Sequence, residues 1–363
     1  MSDGESLMPL VAHNNLPSFG KLLAEGVKVL KPNIAQHQDI RELHIGLLNM
    51  MPDLALGATE RQFFRLIGES NPIAQFYVHP FTLDTLPRGK AAQVHIDQHY
   101  ESFDQVRAQG LDALIITGAN VTGPELSLEV FWESLIEVAD WAHENVTSTL
   151  CSCLATHAVL EFRYGQKRVQ KPYKKWGVFP HNVIDQSHPL VVDINTQFDV
   201  PHSRWNNVDA QQFVAAGLKA LVTGDDGCIH LATSADGFRT VFFQGHPEYD
   251  TISLLKEYKR EITRYILGEL TTYPPLPTKY FGVFESALMR EFESRVKLAK
   301  NHQLEMPDFP ESLVLSKLNN TWHDTASAVV GNWMGLIYQV THKDRRKPFM
   351  DNVDIENPLG LKR

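Results

Sequence analysis

Cysteine is scarce in this sequence, with only Cys151, Cys153 and Cys228 among 363 residues. A low and odd count excludes a scaffold held together by disulfides, because such scaffolds pair several cysteines within a short secreted chain. The count is typical of a protein in a reducing compartment, so we expect a cytoplasmic location.

Long apolar runs are also missing. No stretch is apolar over enough residues to cross a bilayer. Met1–Glu5 places no positive charge ahead of an apolar segment, so no secretory signal is predicted. The chain has a net charge of −9 at pH 7 and no basic stripe with interleaved aromatic residues. We therefore expect neither a membrane nor a nucleic acid as a partner.

The sequence also lacks clusters of metal-ligand residues. The 16 histidines are scattered, and no tight group of ligand residues is followed by a second pair at the spacing that zinc sites use. The sequence therefore predicts no metal ion and no other cofactor.

What the sequence does contain is an alternation of apolar strands with helices. Runs at 42–48, 73–80, 110–118 and 146–150 lack the polar alternation of a half-exposed strand. Helices are predicted after Thr59, a candidate N-cap, and over 128–144, with a polar connection at 84–105. This order predicts an α/β fold with a doubly wound, mostly parallel sheet and flanking helices. Further strands are predicted at Trp176–Phe179, His188–Val192, Ala220–Val222, Ile229–Ala232 and Phe238–Phe243.

Composition also divides the chain into three parts. Residues 1–40 are polar and irregular and are interpreted as an N-terminal arm. Residues 41–273 form the α/β domain. The run Pro274-Pro275-Leu276-Pro277 marks a boundary, and residues 274–363 are expected to be a C-terminal helical extension packed on that domain.

The candidate catalytic residues lie at the ends of three predicted strands. Gly118 follows a buried strand, Cys153 lies between a strand and a helix, and His246 with Glu248 follows another strand. Ligands in such sheets bind outside the carboxyl ends of the strands. A cysteine near a helix N-terminus is favoured as thiolate. Nucleophile, base, orienting carboxylate and backbone donors are the parts that acyl transfer requires.

Each of these residues has a structural alternative when taken alone. A lone cysteine is more often a small buried residue, and a lone histidine is more often a hydrogen-bonded core residue. The convergence of Cys153, His246 and Glu248 on one edge of a sheet favours the catalytic interpretation.

Five segments, in this order, resemble homoserine O-acyltransferases of the homoserine transsuccinylase type. The resemblance covers roughly residues 35–343. Gly-His-Pro-Glu alone is also similar to class I glutamine amidotransferases, whereas the ordered set is specific. The segments are residues 43–52, 116–119, 148–153, 201–204 and 245–250.

The resemblance implies a fold related to class I glutamine amidotransferases, a homodimer, and the first committed step of methionine synthesis. An acyl group would pass from its coenzyme A thioester to the hydroxyl of L-homoserine. By position, Cys153 resembles the acyl-accepting nucleophile, His246 the base and Glu248 its orienting partner. The positions that match substrate contacts in relatives are Lys174, Ser203 and Arg260.

From the sequence alone, these three contacts have ordinary alternatives. Arg260 suits a planar carboxylate such as that of homoserine, but it stands in a charged helical run. Lys174 lies in a basic surface run. Ser203 lies in a predicted Pro-His-Ser turn, and the choice between homoserine and serine as acceptor is left to this position.

Two departures from the family bear on the acyl donor. Relatives often carry lysines in the loop where this chain has Asp53-Leu54, which puts coenzyme A binding through that loop in doubt. At Thr122, succinyl-specific relatives have glycine and acetyl-specific ones have glutamate. Threonine lacks the carboxylate that would repel a succinyl group, so succinyl-CoA is the expected donor and acetyl-CoA is the alternative.

Two other classes remain open. A glutamine amidotransferase-like hydrolase would share the triad, but that class usually flanks its cysteine with glycines, and here the flanks are Ser152 and Leu154-Ala155. A binding module without catalysis would show no special reactivity at Cys153.

Overall fold

The computed structural model describes residues 10–70, 74–121 and 123–362. Within them, a nine-stranded sheet has the order β2-β1-β3-β4-β9-β8-β7-β5-β6. The strands are β1 (Glu42–Leu48), β2 (Gln75–Phe81), β3 (Ala113–Ile116), β4 (Ser148–Ser152), β5 (Val169–Val183), β6 (Gln197–Asn207), β7 (Lys219–Gly224), β8 (Ile229–Thr233) and β9 (Thr240–Phe243).

Helices cover both faces of this sheet. Their bounds are α1 (Pro17–Ala24), α2 (Pro32–Ala35), α3 (Leu56–Gly68), α4 (Lys90–His99), α5 (Phe103–Gln109), α6 (Trp132–Asn145), α7 (Leu154–Tyr164), α8 (Ala210–Ala215), α9 (Ser253–Ile266), α10 (Val283–His302), α11 (Glu311–Leu315) and α12 (His323–Val340). None of the helices in the described ranges is long and apolar enough to cross a membrane.

The parallel part of the sheet comprises β2, β1, β3, β4 and β9. All four residues of β3 are buried, because successive side chains pack on opposite faces. Ile115 joins the core beneath α1, α3 and α12, whereas Leu114 joins the core beneath α6 and α7. The predicted α/β sheet with flanking helices is confirmed, and the carboxyl ends of β1, β3, β4 and β9 lie at one edge.

The antiparallel part extends the sheet through β8, β7, β5 and β6. Two predictions are wrong here. The expected strand His188–Val192 is a loop with a 3-10 turn at Pro189–Val191, stabilised where His188 Nδ1 accepts a hydrogen bond from Leu190 N at 3.2 Å. The expected turn at Pro201-His202-Ser203 lies within β6, whose position at the sheet edge tolerates a proline.

Helix positions also differ from the prediction in two places. The connection at 84–105 contains α4 and the start of α5. Helix α3 begins at Leu56, so Thr59 is buried inside the helix and is not its N-cap. Packing accounts for the earlier start of α3, because Leu56, Thr59 and Phe63 are all buried.

Both ends of the chain contribute to the core. Phe19 of α1 packs on Phe64 of α3 with ring centroids 5.3 Å apart. From the other end, Trp333 of α12 is buried and donates Nε1–H to Ser148 Oγ at 2.8 Å. A separate apolar cluster joins α9 to α10 through residues such as Tyr258 and Met289. The segments before β1 and after α9 therefore share apolar clusters with the elements between them.

Candidate active site

Cys153 occupies the sharp turn between β4 and α7. Its backbone has φ 52° and ψ −104°, in the left-handed half of conformational space that favours glycine. A hydrogen bond from Cys153 N–H to Phe243 O, at 2.8 Å, stabilises the turn. A Cβ placed on Gly118 would lie 3.9 Å from Cys153 Cβ, so the backbone after β3 passes close to the thiol. Strain of this kind is typical of a nucleophile presented above a sheet.

His246 and Glu248 complete a hydrogen-bonded triad with Cys153. His246 Nδ1 lies 2.8 Å from Glu248 Oε1, and the imidazole also hydrogen-bonds the Cys153 thiol. The backbone N–H of His246 donates to Pro201 O at 2.9 Å. Gly245 is required before it, because a Cβ there would lie 2.4 Å from Val200 Cγ1. The carboxylate therefore fixes one ring nitrogen and leaves the other for the thiol.

The electrostatics of the triad favour a thiolate–imidazolium pair. Burial raises the pKa of the Cys153 thiol, but the charge and hydrogen bond of His246, aided by Arg204, outweigh it and leave that pKa below its usual value. Burial lowers the pKa of His246, but Cys153 and Glu248 outweigh it and hold that pKa well above its usual value. By contrast, burial raises the pKa of Cys151 to about 12, so this thiol stays protonated.

Arg204 is a buried cation whose charge acts on the Cys153 thiol. Its guanidinium donates to Gln244 O at 3.0 Å, to Asn207 Oδ1 at 3.0 Å and to Cys228 Sγ at 2.8 Å. Among the described residues, no carboxylate lies within ion-pair distance of it. A buried charge without a neutralising partner is costly, and the anions that it can stabilise are those of the triad.

A second polar cluster adjoins the triad and centres on Glu257 of α9. Glu257 Oε2 accepts hydrogen bonds from Ser203 Oγ at 2.5 Å and from Trp176 Nε1 at 3.0 Å, and lies 3.4 Å from Lys174 Nζ. Glu257 Oε1 accepts from Tyr249 OH at 2.6 Å. The structure thus brings together Lys174 and Ser203, two of the predicted substrate contacts, on a shared carboxylate.

Tyr249 joins the two clusters. Its ring stacks on His246 with centroids 4.3 Å apart and an interplanar angle of 19°. Burial raises the pKa of Glu257, but Lys174 and the hydroxyl donors outweigh it and lower that pKa overall. Glu257 is therefore ionised, and the Tyr249 ring lies between its carboxylate and the His246 imidazole.

The structure gives less information on the other two predicted site residues, Arg260 and Thr122. Arg260 lies one turn beyond Glu257, its side chain is 59% exposed, and its Nε is 3.3 Å from Glu261 Oε1. Burial and, to a smaller extent, the charge of Arg260 lower the pKa of Lys174, so Arg260 acts on the edge of this cluster. Thr122 lies outside the described residues.

The loop after Met51-Pro52 is also defined. Asp53 Oδ2 accepts the Gly89 N–H at 2.8 Å, and Asp53 Oδ1 lies 3.4 Å from Arg88 Nη1. Leu54 is fully exposed. Asp53 therefore bonds to the neighbouring turn at Arg88 and Gly89. The loop contains no lysine that could bind the acyl-CoA donor.

Sequence reasoning missed three residues of this site, Arg204, Tyr249 and Glu257. Arg204 and Tyr249 stand inside the segments that carried the resemblance, so their position was a usable signal. Glu257 precedes Arg260 by three positions, which puts both on one helix face. No local feature of the sequence indicated that Glu257 would contact residues of β5 and β6.

Comparisons with known proteins place this geometry in a family. The family model for homoserine O-succinyltransferase matches residues 9–343. A homoserine O-succinyltransferase of Allochromatium vinosum is 64% identical over 354 residues, covering 98% of this chain and 99% of that protein. One of Thiobacillus denitrificans is 62% identical over 354 residues, covering 98% of this chain and all of that protein.

The solved structures give a weaker match. A glutamine amidotransferase from Thermotoga maritima covers 83% of this chain and 99% of its own, at 11% identity and a TM-score of 0.39, which is too low to support an argument. The family match and the two relatives extend over nearly the whole chain, and the chain therefore belongs to the homoserine O-succinyltransferase family.

Proposed function

We propose that this protein transfers a succinyl group from succinyl-CoA to the hydroxyl of L-homoserine through a covalent adduct on Cys153. The observation that carries the proposal is the hydrogen-bonded array of thiol, imidazole and carboxylate beside the buried Arg204. It supplies an ionised nucleophile and a base in one place. The names of the curated relatives support the two substrates.

In the first half-reaction, the Cys153 thiolate forms a bond to the thioester carbonyl carbon. The oxyanion accepts hydrogen bonds from backbone N–H groups at the start of α7, which have no partner within the helix, and from the Gly118-Ala119 turn. Losing one such donor costs about 3 kcal/mol. The carbon–sulfur bond to coenzyme A breaks, and the departing thiolate takes the proton of the His246 imidazolium.

In the second half-reaction, neutral His246 removes the proton of the homoserine hydroxyl. The oxygen bonds to the acyl carbon, and Cys153 leaves again as thiolate beside an imidazolium. General-base assistance of this kind contributes roughly 10²–10⁴-fold. The reaction as written needs no cofactor besides the donor thioester.

We assign the amino-acid end of homoserine to the cluster around Glu257. Its carboxylate is separated from the His246 imidazole by the Tyr249 ring and suits the substrate ammonium, whereas Lys174 and Arg260 suit the substrate carboxylate. Ser203 positions the Glu257 carboxylate. The position of that carboxylate then sets how far the hydroxyl of bound homoserine extends toward the acyl group on Cys153. A serine hydroxyl is one carbon shorter and would stop before the adduct.

We assign donor choice to Thr122 and to Arg168, which holds the loop beside it. Arg168 Nη2 donates to Gly123 O at 2.9 Å, and its charge lies within interaction range of Cys153. A cation there suits the free carboxylate of a succinyl group, and acetyl has no such carboxylate. Acetyl transfer is the alternative that this arrangement disfavours.

We further propose that the protein works as a homodimer in the cytoplasm and supplies methionine synthesis, with residues 41–273 as the catalytic domain between an N-terminal arm and a C-terminal extension. These assignments rest on the family resemblance and on the scarcity of cysteine. Sedimentation of the full chain tests the dimer: a single monomeric species at micromolar concentration would contradict it.

The test of the mechanism is mass spectrometry of the protein mixed with succinyl-CoA alone. We expect a covalent succinyl adduct on Cys153 that disappears when homoserine is added. Cys153→Ser should remain folded, form no thioester and lose transfer. Cys151→Ala is the matched control, because that thiol is protonated and buried, and it should keep both the adduct and the transfer.

Other results would sink the proposal. Full transfer without any adduct would exclude the two-step scheme. An adduct from acetyl-CoA at an equal rate would remove the succinyl assignment. Release of ammonia from glutamine would favour the hydrolase, and uniform iodoacetamide labelling of the three cysteines would favour a binding module.

A further inference from the structure

A group of metal-ligand side chains lies at the outer edge of the sheet, away from the triad. His13 precedes α1, His79 lies in the edge strand β2, and Glu101 lies just before α5. One potential ligand atom from each of the three lies within 4.8 Å of the others. Four-coordinate zinc has bonds near 2.0–2.1 Å, which sets its ligand atoms roughly 3.4 Å apart. Side-chain movements of about 1 Å would therefore close the group on one ion.

The hydrogen bonds around His79 define which nitrogen faces the group. His79 Nε2 lies 2.8 Å from His44 Nδ1, and His44 Nε2 lies 3.4 Å from Glu42 Oε2. His44 donates Nε2–H to that carboxylate, so its Nδ1 is the acceptor and His79 Nε2 is the donor. The second nitrogen of His79, Nδ1, then faces Glu101 Oε1 at 2.5 Å. Two atoms with lone pairs cannot approach so closely unless a proton or a cation lies between them.

Neighbouring groups orient the three side chains, in the way that the outer hydrogen-bond partners of a metal site orient its ligands. Metal-bound histidines usually donate their second N–H to a fixed acceptor, and His44 is that acceptor for His79. The other oxygen of Glu101, Oε2, accepts from Gln109 Nε2 at 3.1 Å. His13 Nδ1 lies 3.3 Å from Val11 O, which orients its ring. Each of the three side chains is therefore oriented by a contact outside the group.

We propose that His13, His79 and Glu101 bind a divalent transition-metal cation of the Zn²⁺ type, with water in the remaining position. Two imidazole nitrogens and one carboxylate oxygen are a donor set that suits Zn²⁺. His13 and Glu101 are half-buried, so an ion can reach the site from solvent. Spacing along the chain concealed the group, because its members come from three separate segments.

The structural consequence is a fastened N-terminal segment. Val11 N–H donates to Phe76 O at 3.0 Å, so residues 10–13 already run beside β2. An ion bound by His13 and His79 adds a second attachment between that segment and the edge strand. The site does not touch the triad, and the inference is independent of the proposed reaction.

The test is a zinc titration of full-length protein stripped of metal by a chelator. Cys153→Ser is used as the background, so that the reactive thiol does not compete for the ion. Calorimetry should show one Zn²⁺ per chain, and both His79→Gln and Glu101→Gln should abolish it. His44→Gln removes only the outer partner and should weaken binding by about 10- to 100-fold. His302→Gln, at the exposed end of α10, is the control and should change nothing.

Two further measurements keep the test decisive if a variant at β2 fails to fold. His13→Gln alters only a half-exposed side chain and should still lose the ion. Zn²⁺ should also raise the melting temperature of the background protein and slow tryptic cleavage near Lys21. An absence of binding, or binding that survives both His79→Gln and His13→Gln, would overturn the proposal and leave His79–Glu101 as an ordinary ion pair.

Discussion

Replacing Glu257 by glutamine should separate acceptor binding from formation of the acyl-enzyme. The side chain of Glu257 is 13% exposed, and its two oxygens accept hydrogen bonds from Ser203, Trp176 and Tyr249. Glutamine has nearly the same shape and keeps one oxygen acceptor for Ser203 and Trp176. The substitution therefore removes the negative charge while the packing stays close to the native one.

The magnitude follows from the lost contact with the substrate ammonium. A hydrogen bond to a charged group contributes about 1.5–3 kcal/mol, and every 1.4 kcal/mol is about a tenfold change. We expect kcat/KM for homoserine to fall by about 10- to 150-fold. The rate of adduct formation with succinyl-CoA should change far less, because that step precedes acceptor binding.

Rapid-quench mass spectrometry measures the first step, and steady-state kinetics with varied homoserine measures the whole reaction. Glu269→Gln, a change of an exposed acid just beyond α9, is the control and should leave both rates as they are. If Glu257→Gln slows both steps equally, Glu257 acts on His246 through Tyr249. If it slows neither, the acceptor binds elsewhere.

Three further changes test other parts of the site. Arg204→Met should raise the pKa of the Cys153 thiol, so the midpoint of iodoacetamide labelling against pH moves upward; an unchanged midpoint would remove Arg204 from the mechanism. Thr122→Glu introduces a carboxylate that would repel a succinyl group and should shift kcat/KM from succinyl-CoA toward acetyl-CoA; an unchanged ratio would mean that another residue selects the donor. Gly245→Ala forces a methyl group against β6 and should lower the free energy of unfolding by about 1–3 kcal/mol, as measured by urea titration; native stability would contradict the close approach.

The parallel part of the fold was predictable because its signals are local. Strands buried on both faces show as unbroken apolar runs, and β3 is such a run with every residue buried. The position of Cys153 at a strand-to-helix joint follows from the change of period at Leu154. Since the carboxyl ends of parallel strands share one edge, Cys153 and His246 could be predicted to meet.

The antiparallel part was harder because its signals depend on partners. β6 contains Pro201 and polar residues, and it is a strand because β5 pairs with it from Asn182 opposite Gln197 onward. The same pairing sets Trp176 opposite Ser203 and so creates half of the cluster around Glu257. A single sequence without its partners cannot reveal that carboxylate's environment. The His188–Val192 error has the same origin, since none of the strands in the described part of the chain pairs with that apolar run.

The charges of the triad explain why the buried Arg204 is needed beside it. In the resting state the Cys153 thiolate and Glu248 are negative, whereas His246 and Arg204 are positive, so the buried charges cancel. After the proposed acylation the sulfur would be neutral, and His246 would have lost its proton to the leaving thiol. Glu248 and Arg204 then remain, and the charges cancel again. Each half-reaction therefore moves one proton without leaving net charge in a buried site, where an uncompensated charge is costly. Without Arg204, a negative charge would stay unbalanced in both states, and in the resting state the Cys153 thiolate would relieve it by taking a proton.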